Sequence, residues 1–190
     1  MKKNRRVWIV VLLVWLLVPV QAVGADGQAF AEQKTIAGYT LTLRGSGVLR
    51  YMVFIKAYEG AFYLQAGKAA SQALDEGAAR CLVLHYLHGI KAEDFAEATT
   101  EMIKKNVSAD QFTSLLPKIE KFNTFYRDVV PGDRYTAVYI PDEGTRLRLN
   151  DDFLGMVEGA EFASAFFAIW IGDNPIDKTF RDRMLGKRRP

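Results

Sequence analysis

The chain has 190 residues, with 25 Lys and Arg against 22 Asp and Glu and a single cysteine. One cysteine excludes an internal disulfide, so stability has to come from packing. Four basic residues, Lys2, Lys3, Arg5 and Arg6, precede an apolar run, and the other 21 basic residues against 22 acidic ones leave a net charge of −1. Such a balance gives no reason to expect nucleic acid or an anionic membrane as a partner.

The N-terminus has the three parts of an export signal. After the basic residues, residues 7–18 are apolar without interruption, and Pro19 precedes the small-residue pattern Val20-Gln21-Ala22. A membrane-spanning helix is the alternative, but it needs about 20 apolar residues, and this run is shorter and ends at a proline. We therefore predict a signal peptide over residues 1–22, cleaved near Ala22 or else at Ala25, and a periplasmic protein with no stable membrane anchor.

The next segments predict a strand-rich region. Residues 23–35 are small and polar, which indicates a flexible leader before a domain over residues 36–186. Period-two alternation predicts a strand over residues 39–44, and Gly45-Ser46-Gly47 predicts a turn after it. Residues 48–64 predict two strands separated near Gly60, or one long strand with a bulge there. Residues 80–87 predict a further strand, in which Cys81 is expected to be buried.

Helical patterns follow in the second half of the chain. Apolar residues at three- and four-residue spacing predict helices over residues 92–105 and after Ser108, a typical N-cap. Pro117 predicts a kink or a boundary in the second helix. A hairpin over residues 134–150, an apolar helix over 160–171 and an amphipathic helix over 177–185 complete the domain. This order indicates an α+β fold, with a mostly antiparallel sheet covered by helices on one face.

Several short motifs, in the same order along the chain, resemble those of chalcone isomerase-like proteins. The resemblance implies an open-faced β-sandwich, in which helices cover an antiparallel sheet and a ligand cleft lies between the two layers. Exported bacterial members of this family match the predicted signal peptide better than the plant enzymes do. The motifs are Gly47-Val48-Leu49-Arg50, Phe54-Ile55-Lys56-Ala57-Tyr58, Gly60-Ala61-Phe62-Tyr63-Leu64, Ile119-Glu120-Lys121-Phe122 before Pro131-Gly132-Asp133, and Phe162-Ala163-Ser164-Ala165 leading to Ile169-Trp170-Ile171-Gly172.

The resemblance places Arg50 at the position of an arginine that faces the ligand in the plant enzymes and in related fatty-acid-binding members. A guanidinium in an apolar cleft can hold a carboxylate or phenolate; the alternative is a strand arginine paired with a surface acid. Tyr58 falls where the plant enzyme has a catalytic threonine, and it either donates to a ligand oxygen or is a core or interface tyrosine. In a regular strand Lys56 shares a face with Tyr58 and Phe54, although a solvated lysine is the commoner outcome.

The catalytic tyrosine of the plant enzyme has no counterpart in this chain. Residues 89–107 contain no tyrosine, and their one asparagine, Asn106, lies at the wrong end of the helix. The aromatic residue there is Phe95, which cannot donate a proton. We therefore predict no catalytic residues and a non-catalytic binder of an amphipathic small molecule, such as a fatty or aromatic acid. The predicted ligand-binding residues are Arg50, Tyr58, Lys56 and Phe95.

Two other functions stay open: an isomerase or intramolecular lyase that uses different residues, and an interaction module whose cleft is filled by its own side chains. A metal centre is not expected. His85 and His88 are three residues apart, so on a strand they point to opposite faces, and no third ligand is evident. We predict no cofactor.

Overall fold

The computed structural model describes residues 30–51 and 55–187, so the predicted signal peptide and residues 23–29 of the predicted leader lie outside the described residues. Seven strands, four α-helices and one short 3₁₀-helix make up this part of the chain. The strands are β1 Gln33–Ile36, β2 Tyr39–Tyr51, β3 Ile55–Gln65, β4 Arg80–Tyr86, β5 Arg134–Ile140, β6 Gly144–Leu149 and β7 Asp152–Val157. The α-helices are α1 Ala92–Asn106, α2 Ala109–Asn123, α3 Ala160–Ile171 and α4 Lys178–Met184, and the 3₁₀-helix is Ala70–Gln72.

The seven strands form one sheet in chain order, and every neighbouring pair is antiparallel. One face packs against the helices, where Leu82 and Leu84 of β4 share a core with Phe162 and Phe166 of α3. The opposite face carries a smaller cluster of strand residues that includes Tyr63. The predicted α+β fold, an antiparallel sheet covered by helices on one face, is confirmed.

The predicted turn at Gly45-Ser46-Gly47 is wrong, because β2 continues through these residues to Tyr51. Gly45 lies where α4 crosses the strand: a Cβ at this position would sit 1.9 Å from the carbonyl oxygen of Arg183. The glycine therefore permits a close approach of the helix and strand backbones. Because glycine is typical both of turns and of such close approaches, the residue type alone did not distinguish the two.

The predicted separation of two strands near Gly60 is also wrong, because this glycine too lies where α4 packs closely on the sheet. Gly60 lies inside β3, which begins at Ile55, and β2 ends at Tyr51. A Cβ at Gly60 would lie 2.4 Å from the side chain of Met184 and 2.6 Å from that of Phe180. Both side chains belong to α4 and are fully buried. The glycines of β2 and β3 thus form the surface on which α4 packs.

Strand β1 begins at Gln33, inside the segment predicted to be a flexible leader. Its four residues pair with Tyr39–Thr42 of β2 across a tight turn at Ala37 and Gly38, both of which have positive φ. Polar composition concealed this strand, because an edge strand with one solvated face needs few apolar residues.

The predicted helices are present with small changes at their ends. The Ser108 side chain accepts from the Gln111 backbone N–H (3.3 Å), and the Gln111 side chain accepts from the Ser108 N–H (3.1 Å), which together form a capping box. Helix α2 continues through Pro117, so the proline does not end it. Helix α3 is buried on nearly every side, as its composition predicted. In the described ranges, no helix combines the length and apolar content that a bilayer crossing requires.

Arg80 is a cation that is completely buried at the start of β4. Its guanidinium donates to the carbonyl oxygens of Asp75 (2.9 Å) and Ala78 (3.2 Å) and lies 4.4 Å from the ring centroid of Tyr139. Among the described residues no carboxylate lies within ion-pair distance, and burial lowers the Arg80 pKa to about 10. Carbonyl dipoles and aromatic faces therefore hold this charge.

Cys81, the next residue, points to the opposite face of the sheet and is fully buried, as predicted. Burial raises the pKa of its thiol to about 12. The thiol is therefore protonated and shielded at neutral pH, which makes it unreactive.

Candidate functional site

A cavity of about 640 Å³ lies between the helix-covered face of the sheet and helices α1 and α3. This volume falls in the range typical of small-molecule sites. The predicted alternative of a cleft filled by its own side chains is therefore wrong. Apolar and aromatic residues form most of the wall: Leu49, Ala57, Tyr58, Leu82, Leu84, Tyr86, Ile90, Phe95, Ala98, Met102, Tyr126, Tyr135, Ala137, Leu147, Phe166, Ile169, Trp170 and Ile176.

The rim of the cavity carries the charged lining residues Arg50, Asp94 and Asp177, all exposed. Both carboxylates hold the start of a helix: Asp94 accepts from the Lys91 backbone N–H (3.4 Å) and Asp177 from the Phe180 N–H (2.6 Å). Among the described residues, Arg50 has no ion-pair or hydrogen-bond partner. Its guanidinium is therefore available to an acid group that enters the cavity.

Tyr58 lines the cavity close to Arg50, because it pairs with Leu49, the residue before Arg50, across β2 and β3. The Tyr58 hydroxyl accepts a hydrogen bond from Trp170 Nε1 at 2.9 Å. Burial raises the Tyr58 pKa above its usual value, so the phenol stays protonated at neutral pH. Because the hydroxyl accepts from Trp170, its own proton can be donated to a ligand oxygen.

Phe95 stands at the centre of the aromatic wall. Its ring stacks on Tyr126 (centroids 5.3 Å apart, planes at 26°) and meets Tyr86 and Tyr135 edge to face at 5.4 Å and 5.3 Å. These contacts fix Phe95 as an apolar surface, in keeping with its lack of a proton to donate.

Four buried residues that carry hydroxyl groups line the buried end of the cavity, and sequence reasoning missed them. They are Tyr86 of β4, Thr99 of α1, Tyr126 in the connection between α2 and β5, and Tyr135 of β5. The Tyr135 hydroxyl is fully occupied, since it accepts from the Arg127 N–H (2.7 Å) and donates to the Arg127 carbonyl oxygen (2.8 Å). Thr99 Oγ1 and Tyr126 Oη lie 2.7 Å apart and bond to each other.

Weak signals of these residues were present in the sequence. Tyr86 alternates with Leu82 and Leu84 along β4, which places all three on the cavity face. Thr99 lies one helical turn after Phe95, and Tyr126 extends the inner face of α2. Trp170 carried no such signal, because α3 is apolar all round.

The structure brings together three of the four predicted ligand-binding residues, since Arg50, Tyr58 and Phe95 all line this cavity. The Lys56 side chain and Phe54 lie outside the described part of the chain. Arg50 lies at the exposed rim, whereas Tyr58 and Phe95 belong to the more enclosed wall. Whether these residues bind a ligand stays a prediction.

The two histidines do not share a strand, since β4 ends at Tyr86 and His88 follows it. His85 faces the other side of the sheet, where its Nδ1 lies 3.7 Å from a carboxylate oxygen of Glu59, whereas His88 lies at the cavity rim. Within the described ranges, no three His, Cys, Asp or Glu side chains cluster closely enough to hold a metal ion.

Comparisons with known proteins agree with this architecture. Residues 22–186 match the model of a family described as chalcone isomerase-like. Among solved structures, a fatty-acid binding protein from Arabidopsis thaliana superposes with a TM-score of 0.67 at 15% identity, over 84% of this chain and 92% of the plant protein. At that identity the likeness concerns the fold, and a comparison with curated protein sequences finds no match. Since the family match spans most of the residues, this chain belongs to the chalcone isomerase-like family.

Proposed function

We propose that the protein binds an amphipathic acid, such as a fatty or aromatic acid, in the cavity and does not convert it chemically. The observation that carries this proposal is a single arginine without a described partner, Arg50, at the rim of a cavity whose walls are mostly apolar. A carboxylate at the rim and an apolar body inside match this distribution of charge. The fold shared with a plant fatty-acid binding protein supports the same class of ligand.

Binding is preferred to catalysis because of the groups at the buried end. An isomerase or intramolecular lyase needs a base near the reacting carbon. Among the described lining residues, that end offers the hydroxyls of Tyr86, Thr99 and Tyr126, and burial raises the pKa of both tyrosines. Protonated phenols donate hydrogen bonds and do not remove protons at neutral pH.

Ligand binding by wild type and an Arg50→Gln variant tests the proposal. The probes are hexadecanoate and cinnamate, with hexadecanol as the uncharged control of equal chain length. Loss of a charged hydrogen bond at an exposed rim predicts about tenfold weaker binding of the acids and an unchanged affinity for the alcohol.

Arg148→Gln is the matched control, because Arg148 is an exposed strand arginine that does not line the cavity. It should bind both acids like wild type. The anchor assignment fails if Arg50→Gln and Arg148→Gln behave alike. The whole proposal fails if neither acid binds the wild-type protein, or if the protein consumes the acid.

We also propose that this binding takes place in the periplasm. The support is the N-terminal pattern of basic residues, apolar run and small residues that ends at Ala22. Expression of the full chain in a Gram-negative host, followed by periplasmic extraction and mass measurement, tests this location. A chain shortened by residues 1–22 in the periplasmic fraction is expected, and a full-length chain in the cytoplasm contradicts it.

A further inference from the structure

The hydrogen-bonded pair of Thr99 and Tyr126 lies at the buried end of the cavity. The two side chains are 5% and 7% exposed, and their hydroxyl oxygens are 2.7 Å apart. Thr99 projects from the middle of α1, and Tyr126 follows the end of α2. Both residues line the cavity, so a ligand that fills it meets this pair directly.

The pair has one hydroxyl proton more than it can use internally. Each hydroxyl carries one proton, and a single hydrogen bond between them consumes one of the two, whichever atom donates. The second proton has no acceptor among the described residues. A buried hydroxyl donor without an acceptor is unfavourable, so an acceptor inside the cavity would stabilise the hydroxyl that carries this second proton.

The orientation of Thr99 shows that its hydroxyl is directed away from its own helix. Helical threonines commonly donate to the carbonyl oxygen four residues earlier. Thr100 and Thr113 do so, with distances of 2.9 Å to Ala96 O and 2.9 Å to Ala109 O. Thr99 makes no such bond within the described residues and instead contacts Tyr126. The backbone carbonyls of α1 therefore do not accept a hydrogen bond from the Thr99 hydroxyl.

The surroundings of the pair favour an uncharged partner. Phe95 stacks on the Tyr126 ring, and Met102 and Ile169 are further apolar residues of the cavity wall. Burial raises the pKa of Tyr126, so the pair stays neutral and retains both protons at neutral pH. A carbonyl or hydroxyl oxygen can accept from such a donor without bringing a second charge into an apolar wall.

We propose that the ligand carries a second oxygen, in a carbonyl or hydroxyl group on its apolar body. This oxygen accepts a hydrogen bond from whichever hydroxyl of the Thr99–Tyr126 pair does not donate to the other. This inference rests on the proposed function, in which the acid group of the ligand binds at Arg50. It narrows the ligand from any amphipathic acid to an oxo or hydroxy acid, with the second oxygen separated from the carboxylate by part of the cavity.

Binding of octadecanoate and of a set of its mono-oxo isomers, with the ketone at different carbons, tests the inference. One additional neutral hydrogen bond at a buried site predicts that at least one isomer binds wild type about tenfold more tightly than octadecanoate. The double variant Thr99→Val/Tyr126→Phe should bind that isomer and octadecanoate equally. Thr100→Val is the matched control, since Thr100 is on the same helix and does not line the cavity, and it should keep the wild-type preference.

The outcomes separate this inference from the proposed function. If octadecanoate binds and Arg50→Gln weakens it, but no oxo isomer binds more tightly in wild type, the second-oxygen inference is overturned and the proposed function stands. Retention of the preference in the double variant also overturns it. If octadecanoate does not bind at all, both fail. The comparison of isomers uses wild-type protein, so a poorly folded variant leaves the test decisive.

Discussion

Replacing Gly45 with alanine tests the packing of α4 on β2, which positions one part of the cavity rim. The added Cβ would lie 1.9 Å from the carbonyl oxygen of Arg183, whereas such contacts are essentially never closer than 3.0 Å. Helix or strand must therefore move by about 1 Å. Helix α4 buries Phe180 and Met184 almost completely, and burial of two such side chains contributes roughly 3–6 kcal/mol.

A gap of about 1 Å between α4 and the sheet removes about a quarter to a half of the dispersion energy between them. Applied to the burial of Phe180 and Met184, this fraction lowers the free energy of unfolding by about 1–3 kcal/mol. Any Gly→Ala substitution also raises the free energy of unfolding by up to about 1 kcal/mol, because alanine lowers the conformational entropy of the unfolded chain. Gly77→Ala is the matched control, since a Cβ there meets nothing within 4 Å. Because that gain is common to both variants, we expect Gly45→Ala to be about 1–3 kcal/mol less stable than Gly77→Ala.

Urea unfolding followed by tryptophan fluorescence measures this difference, provided that the two variants share one m-value. Ile176 and Asp177, which precede α4, line the cavity, so ligand affinity should fall together with stability. Equal stability of Gly45→Ala and Gly77→Ala would refute the reasoning, because the two backbones could then not approach as closely as described.

Three further predictions follow from buried groups. Arg80→Lys should lower the free energy of unfolding by about 2–4 kcal/mol, because lysine lacks the planar guanidinium that donates to the carbonyl oxygens of Asp75 and Ala78. The exposed control Arg148→Lys should change the free energy of unfolding by less than about 0.5 kcal/mol. Equal urea midpoints for the two variants would contradict this prediction. Iodoacetamide should label Cys81 only after unfolding, because burial raises its pKa to about 12, and mass spectrometry of the native protein after labelling checks this. The free energy of unfolding should fall as the pH rises above about 9, since the Cys81 thiol and then the tyrosines ionise in the unfolded chain while burial keeps Cys81, Tyr86 and Tyr126 protonated in the folded protein. Arg80, whose pKa burial lowers to about 10, acts in the opposite direction, but it is one group against these three; a net rise in stability above about pH 9 would contradict the prediction.

Much of the fold could be predicted from local patterns. Alternation along β4 and β5, the apolar spacing of α1 and α2, and the cap at Ser108 each reflect interactions within one element or its nearest neighbours. Local patterns were wrong where a distant element imposed the requirement. The glycines at positions 45 and 60 read as a turn and a break, because a close approach by α4 is invisible without knowing that α4 lies there.

The candidate site was predictable in part. Arg50, Tyr58 and Phe95 were identified through a family resemblance and line one cavity. The hydroxyls of Tyr86, Thr99 and Tyr126 were missed, because they come from a strand, a helix and the segment after another helix. Residues 89–107 contain no tyrosine, yet tyrosines from other parts of the chain, Tyr86, Tyr126 and Tyr135, line the cavity.

The sequence by itself determined the type and order of most of the elements and the apolar character of the interior, because these follow from composition and short-range periodicity, and its short motifs carried the resemblance to the chalcone isomerase-like family. Only the tertiary structure decided that α4 packs on glycines, that a cavity stays open between sheet and helices, and that Thr99 and Tyr126 share one hydrogen bond and leave one proton over. These features depend on contacts between residues far apart in the chain. Such contacts leave no periodic signal in the sequence, since each partner alone has an ordinary local environment.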